Sequence, residues 1–189
     1  MLNHLSHLLG ESATKGWRAL PSQATDINGA RDVLNPADHR DAVGQVREAT
    51  PSEVAAAMQA AKAAAASWAV VSPADRAALL DSAADIMQTR METLLGLIIR
   101  EAGKSVQNAI AEVREAIDFL RYYAEQARRT LGPSHAPLGP VVCISPWNFP
   151  LAIFAGQIAA ALAAGNSVLA KPAEPVSYTH LTLPTILRV

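Results

Sequence analysis

Apolar residues recur along Ser105 to Thr130 in alternating steps of four and three, at Val106, Ile110, Val113, Ile117, Leu120 and Ala124. That spacing predicts one long amphipathic helix. Glu115, Phe119 and Tyr122 make a second stripe on the opposite side, so the helix is expected to lie between two neighbours. Upstream, three helix starts carry readable signals. Thr50 to Glu53 is a capping box with Pro51 at the first helical position, opening an alanine-rich helix to about Trp68. Ser72 to Asp75 repeats the device for a helix to about Arg90, and Met91 to Ala102 is a third helix stopped by Gly103. The low bulk of Ala63 to Ala66 predicts tight packing against a neighbour. Val33 to Pro36 and Ala42 to Glu48 predict short edge strands, with Val43, Gln45 and Arg47 on the face opposite Val46. Before them, Met1 to Gly10 predicts a short helix, and Glu11 to Ala30 reads as linker or peripheral turns.

The period changes after Gly139. Val141 to Ile144 is a short apolar run between Gly139-Pro140 and Ser145-Pro146, and it predicts a strand buried on both faces. Pro150 suits a first helical turn, Leu151 to Ala164 are helix formers, and Gly165-Asn166 supplies the stop. Ser167 to Ala170 is a second apolar run. Strand, helix, strand makes a βαβ unit with parallel strands and a right-handed crossover, and the fold class is α/β. The turn Ser145 to Phe149 then lies at the carboxyl end of a strand and the amino end of a helix, where anionic or oxyanionic atoms are favoured. Asn148 is the turn's one side-chain amide, and two roles fit it. It caps the helix, or it donates to an oxyanion without titrating.

Composition narrows the classes. In 189 residues half are apolar and 5% aromatic, enough for one domain with close-packed helices. A net charge of −1 gives no electrostatic case for nucleic acid or an anionic membrane. One cysteine excludes an internal disulfide and fits a reducing, cytoplasmic setting, and no secretory signal opens the chain. Leu151 to Ala164 is too short to span a bilayer. The five histidines form no metal-ligand pattern, so no metal is expected.

Three ordered blocks give a further lead: Pro146 to Pro150, Ala161 to Val168, and Lys171 to Glu174. Together they resemble the N-terminal cofactor-domain signature of the aldehyde dehydrogenase superfamily. Ala111 to Ala124 with Pro137 to Ile144 is similar to one branch, the L-glutamate-γ-semialdehyde (pyrroline-5-carboxylate) dehydrogenase module of the bifunctional proline utilization A proteins. The resemblance covers about Val33 to Glu174. It implies a helical layer followed by the first βαβ unit of a Rossmann-like NAD-binding domain, in residues 33–175. Residues 1–32 then correspond to the connection that follows a proline dehydrogenase part. In this family a cysteine thiolate adds to the aldehyde, an amide holds the oxyanion, hydride passes to NAD⁺, and a glutamate activates water. The whole protein is expected to be a cytoplasmic homo-oligomer acting on a small aldehyde.

Carried over by resemblance, Asn148 is the oxyanion donor, and Ile144, Ser145, Pro146 and Trp147 form the backbone wall along the cofactor. Lys171 and Glu174 address the adenine ribose hydroxyls, and the carboxylate favours NAD⁺ over a 2′-phosphate. Glu115 meets the amino-acid end of the semialdehyde, and Phe149 lines the aldehyde channel. Plainer roles stand beside these: an exposed Lys171–Glu174 ion pair, a Glu115 salt bridge to Arg121 or Arg114, and Phe149 as a hydrophobic plug. Cys143 sits in the predicted buried strand and is not the nucleophile. The nucleophile and general base of this family lie beyond the Lys171 to Glu174 block, so the fragment alone is expected to be inactive, with exposed apolar edges. Two alternatives remain: another aldehyde dehydrogenase branch, and a non-catalytic nucleotide-binding module. Residues 176–189 depart from the family and resemble a translated sequencing adapter; they are expected to be a non-native tail.

Overall fold

A computed structural model describes residues 2–14, 16–22, 24, 26–132 and 134–173. In chain order the elements are α1 (Leu2–Thr14), β1 (Trp17–Ala19), β2 (Arg31–Asn35) and β3 (Asp38–Val46). Then come α2 (Pro51–Ala69), α3 (Pro73–Thr89), α4 (Met91–Ala102), α5 (Val106–Thr130), β4 (Val141–Ile144), α6 (Ala152–Ala163) and β5 (Val168–Lys171). One sheet has the order β1-β3-β2, and β4 and β5 pair in a second. Glu174 and the tail 176–189 fall outside the described residues.

The capping signals act as read. Thr50 and Glu53 close a reciprocal capping box and Ser72 accepts the Asp75 amide, while Ser105, at the expected start of the long helix, adds a cap by accepting the Asn108 amide. Gly103 ends α4 at φ 64°, in the left-handed region that a side chain would resist. The α2 box is also an anchor. Arg47, just past β3, grips Glu53 through both oxygens at 3.0 and 2.5 Å, while the Thr50 amide donates to the same carboxylate at 2.8 Å. These donors, Arg47 foremost, lower the Glu53 carboxyl from 4.5 to about 2. A depressed carboxyl contributes stability that is complete above 4.5 and lost as pH falls toward 2. Glu53→Gln is therefore expected to flatten the acid limb of the melting temperature across that window, leaving its slope at neutral pH unchanged.

The N-terminal sheet departs from the sequence pattern in two places. Residues 11–30 are more than linker, because α1 runs on to Thr14 and β1 pairs parallel to β3 from Trp17↔Gly44 to Ala19↔Val46. Val43 and Val46 are both buried, against the expected alternation. The pairing steps from Val33↔Gly44 to Leu34↔Ala42, so Val43 is an extra residue in β3. Such a bulge turns the strand and brings both valines to one core with Ala19, Val33 and Leu97.

The main core joins α3, α4, α5 and α6. α5 lies between α3 and α6, but its second stripe stays largely uncovered, with Glu115 and Tyr122 exposed; its buried seam is centred on Ala109, Val113, Ala116, Leu120, Ala124 and Ala127, and Ile110 is exposed. Small residues sit where the helices approach most closely. The tract Ala63 to Ala66 does not pack tightly: α2 meets the body through Ala61 and Trp68, one ridge a heptad apart. β4 and β5 are parallel, with Val141↔Val168 to Ile144↔Lys171 in register, and α6 is the crossover. β4 is not buried on both faces. Val142 and Ile144 are 59% and 61% exposed, because α6 covers only the Cys143 side and no described residue covers the other.

Candidate functional site

The chain leaves β4 at Ile144, opposite Lys171, and the Ser145 amide extends the ladder by donating to the Lys171 carbonyl at 3.2 Å. Ser145 is buried, and its hydroxyl donates to the Pro146 carbonyl. Trp147, Asn148 and Phe149 are exposed; Pro150 and Leu151 are buried again. The turn thus rises out of the body at the carboxyl rim of the sheet and is pinned on both sides. α6 begins at Ala152 with Leu151 as its N-cap residue, so Pro150 precedes the cap instead of filling the first helical turn.

Asn148 does not cap this helix. The first amides of α6 are held by a distant residue, Glu112 of α5, which is only 2% exposed. Its Oε1 accepts from the Leu151 amide at 2.8 Å and from the Ala152 amide at 3.4 Å. A carboxylate suits this end, where unpaired N–H groups gather partial positive charge. Its Oε2 pairs with Lys104, whose ammonium stands 4.3 Å from the centroid of the Phe149 ring. The helix amides expected to meet an anion are therefore already occupied. Among the described residues the Asn148 carboxamide makes no hydrogen bond, and it is the turn's one side-chain amide, exposed beside the Trp147 indole.

The other end of α6 is held as firmly. The Ala163 carbonyl accepts from Arg76 Nε at 3.0 Å, and the Leu162 carbonyl from Trp68 Nε1 at 3.1 Å. The Ala161 carbonyl accepts from the amide and side chain of Asn166, following Gly165 at φ 83°. Asn166 also accepts from the Leu138 and Gly139 amides, tying the approach to β4 to the exit from α6. Where α6 crosses α5, a Cβ on Gly156 would stand 2.9 Å from the Phe119 ring, so the absent side chain permits the contact.

The remaining sequence candidates distribute as follows. Glu115 lies with Ala111, Arg114, Asp118, Phe119 and Tyr122 along an open groove of about 540 Å³. It is exposed, although its stripe predicts a neighbour on that side, and the buried carboxylate of this helix is Glu112. The anticipated Glu115–Arg121 bridge does not form; Arg121 pairs with Asp85 at 3.3 Å. Phe149 is half-exposed beneath Lys104, so it is no plug. Lys171 is exposed, with Nζ donating to the neighbouring Pro172 carbonyl, and its expected partner Glu174 lies outside the described residues. Cys143 is buried, and burial pushes its thiol up. Among the described residues no three His, Cys, Asp or Glu gather to hold a metal, and no single helix is long and apolar enough to cross a membrane.

Sequence reasoning missed Glu112, Lys104 and Arg76. Glu112 falls on the alanine-marked seam, one turn past Ala109 and one before Ala116, and a carboxylate on a buried stripe was the available signal.

The family model described as "Aldehyde dehydrogenase family" matches residues 23–188, a span that includes the tail from Val176. The bifunctional protein PutA of Rhizobium meliloti is 63% identical over 175 residues, covering 92% of this chain and 14% of that protein. A 1-pyrroline-5-carboxylate dehydrogenase of Anoxybacillus flavithermus is 42% identical, covering 74% of this chain and 30% of its own length. Among solved structures, proline utilization A from Bdellovibrio bacteriovorus superposes with a TM-score of 0.92 at 32% identity, over 98% of this chain and 21% of that one. A 1-pyrroline-5-carboxylate dehydrogenase from Thermus with bound NAD superposes at 0.89 and 32% identity, over 98% of this chain and 40% of that one. The chain thus spans about a seventh of the PutA relatives and a third of the single-activity ones. With its α/β architecture and its pinned turn at the sheet rim, the chain belongs to the aldehyde dehydrogenase family.

Proposed function

We propose that this chain is the first part of an NAD-dependent dehydrogenase that oxidises L-glutamate γ-semialdehyde to L-glutamate in proline catabolism. The observation that carries the reading is Asn148: an exposed carboxamide, bonded to nothing described, on a turn held rigidly at the carboxyl rim of a parallel sheet. A neutral, fixed N–H donor is what a developing oxyanion needs. NAD⁺ fits the same rim. Ile144 and Lys171 stand in register there; Ile144 and Trp147 present an uncovered apolar wall, and the Lys171 ammonium has donor capacity beyond its one bond to Pro172. When bound, NAD⁺ supplies the hydride acceptor. The chain's own contributions are to bind it along residues 144–147, to hold its ribose through Lys171 and Glu174, and to hold the substrate oxygen through Asn148.

Substrate choice is assigned to Glu115 and Phe149. Glu115 has no ion-pair partner among the described residues, and its carboxylate is open to a cationic α-amino group. The nucleophilic cysteine and the general base belong, on this proposal, to sequence that follows residue 175, since the Cys143 thiol is enclosed and disfavoured as a thiolate. A proline dehydrogenase part preceding residue 33 and assembly into a homo-oligomer belong to the same proposal.

The test uses protein from the extended reading frame, with NADH formation followed on glutamate semialdehyde and on an uncharged aliphatic aldehyde. The semialdehyde is expected to be preferred in kcat/KM by about tenfold or more, and Glu115→Ala to erase that preference by raising KM. No NADH, or equal use of both aldehydes by the unaltered enzyme, would overturn the assignment. An unchanged KM in the Glu115 variant would remove that residue from the site.

A further inference from the structure

The turn carrying Asn148 is gripped by a pair of side chains that the chemistry above does not use. Glu112 holds the Leu151 and Ala152 amides with one oxygen and Lys104 with the other. The Lys104 ammonium rests on the ring of Phe149, the residue beside Asn148. Lys104 and Glu112 are almost fully enclosed, with 14% and 1% of their side chains exposed. They touch the segment just after Asn148 at residues 149, 151 and 152, while the Ser145–Lys171 ladder bond fixes it just before. The carboxamide has no hydrogen bond of its own among the described residues, so the backbone fixes where it is rooted and which rotamers reach the site, and the backbone is set by these contacts. Buried ion pairs are poor sources of net stability, because desolvation offsets attraction; fixing one geometry is their better-attested use.

We propose that Lys104 and Glu112 are positioning residues which aim Asn148 at the substrate oxygen. The proposal rests on the oxyanion role given to Asn148 above. Neither residue touches substrate; both act through the turn, where a misplacement of about 1 Å is enough to cost up to 10²-fold in rate.

The experiment is a double-mutant cycle on the complete enzyme, reading kcat, both KM values and the melting temperature. Lys104→Met is expected to lower kcat about tenfold with KM values within about twofold, and Lys104→Arg to restore most of the loss. Placed on Asn148→Ala, Lys104→Met is expected to lower kcat no further, because the group it aims is already gone. Glu112→Gln, nearly isosteric, is the second entry into the same cycle should the lysine variant fold poorly. Equal losses with and without Asn148, or a lower melting temperature at unchanged kcat, would overturn the positioning role alone. If Asn148→Ala by itself left kcat intact, the oxyanion reading would fall instead.

Discussion

Alanine in place of Asn148 is expected to lower kcat of the complete enzyme by about 10²–10³, with both KM values nearly unchanged. The asymmetry follows from when the bond forms. A carbonyl oxygen in the bound aldehyde carries partial charge, whereas the oxygen of the tetrahedral adduct carries a full one, so a fixed N–H donor favours the second state over the first. Asn148 is suited to this because its carboxamide is exposed and bonded to none of the described residues, while the backbone on both sides is held, by the Ser145–Lys171 bond and by Glu112 on Leu151. The carboxamide does not titrate, so the loss is expected to be uniform with pH. Asn148→Asp is expected to do worse than alanine, because a carboxylate would face the developing charge. Stability separates this role from helix capping. A lost cap costs about 1 kcal/mol, but the α6 amides are held by Glu112, so Asn148→Ala is expected to move stability by less than about 0.5 kcal/mol. A drop in melting temperature at unchanged kcat would return Asn148 to a capping role.

Features carried by neighbouring residues were legible in the sequence; features made by distant ones were not. The Thr50–Glu53 box, the Ser72 cap and the Gly103 stop each act within one turn and form as read, and the Ser105 cap is a signal of the same short range. The βαβ unit was readable because apolar runs, helix formers and glycine succeed one another in order. β1 was not: three residues make a strand only through Gly44 and its neighbours, and Trp17 offers no local sign of that partner. The exposure of β4 likewise depends on what stacks against it. At the site, Asn148, Phe149 and Lys171 are nameable as candidates because they lie in two short blocks that one βαβ unit brings to a single sheet edge. Glu112 and Arg76 escaped because their partners lie 39 and 87 residues away, and a charged residue in a helical stretch defaults to the surface. The stripe through Glu115 predicts a covered side, but the buried carboxylate is Glu112 one turn earlier, because the packed seam follows Ala109 and Ala116 rather than Ile110.

Arg76→Ala is expected to destabilise the protein by about 3–5 kcal/mol, from two unsatisfied carbonyls and a cavity, a large share of the roughly 5–15 kcal/mol that holds a domain together. Arg76 is 6% exposed, yet no carboxylate pairs with it among the described residues. Its partners are carbonyls: Ala163 through Nε at 3.0 Å and Val71 through Nη1 at 2.5 Å. Burial pulls the guanidinium below its ordinary range, and compensating negative potential comes from the C-terminal end of α6, whose Ala163 carbonyl it meets. The helix that follows the candidate oxyanion turn is therefore held by a carboxylate at its positive end and a guanidinium at its negative end. Alanine removes both hydrogen bonds, leaves the two carbonyls dry, and opens a void beside Gly165. Methionine separates these effects, because it fills much of the void and deletes a charge that was costly to bury, while the carbonyls stay unpaired. It is expected to cost about 1–3 kcal/mol, the desolvation penalty without the cavity. Denaturant midpoints followed by tryptophan fluorescence read this directly, since Trp68 bonds the adjacent Leu162 carbonyl. Equal losses for alanine and methionine would show that the void contributes nothing. A loss below about 1 kcal/mol for alanine would show that the α6 terminus is sustained by Trp68 and Asn166 without the guanidinium.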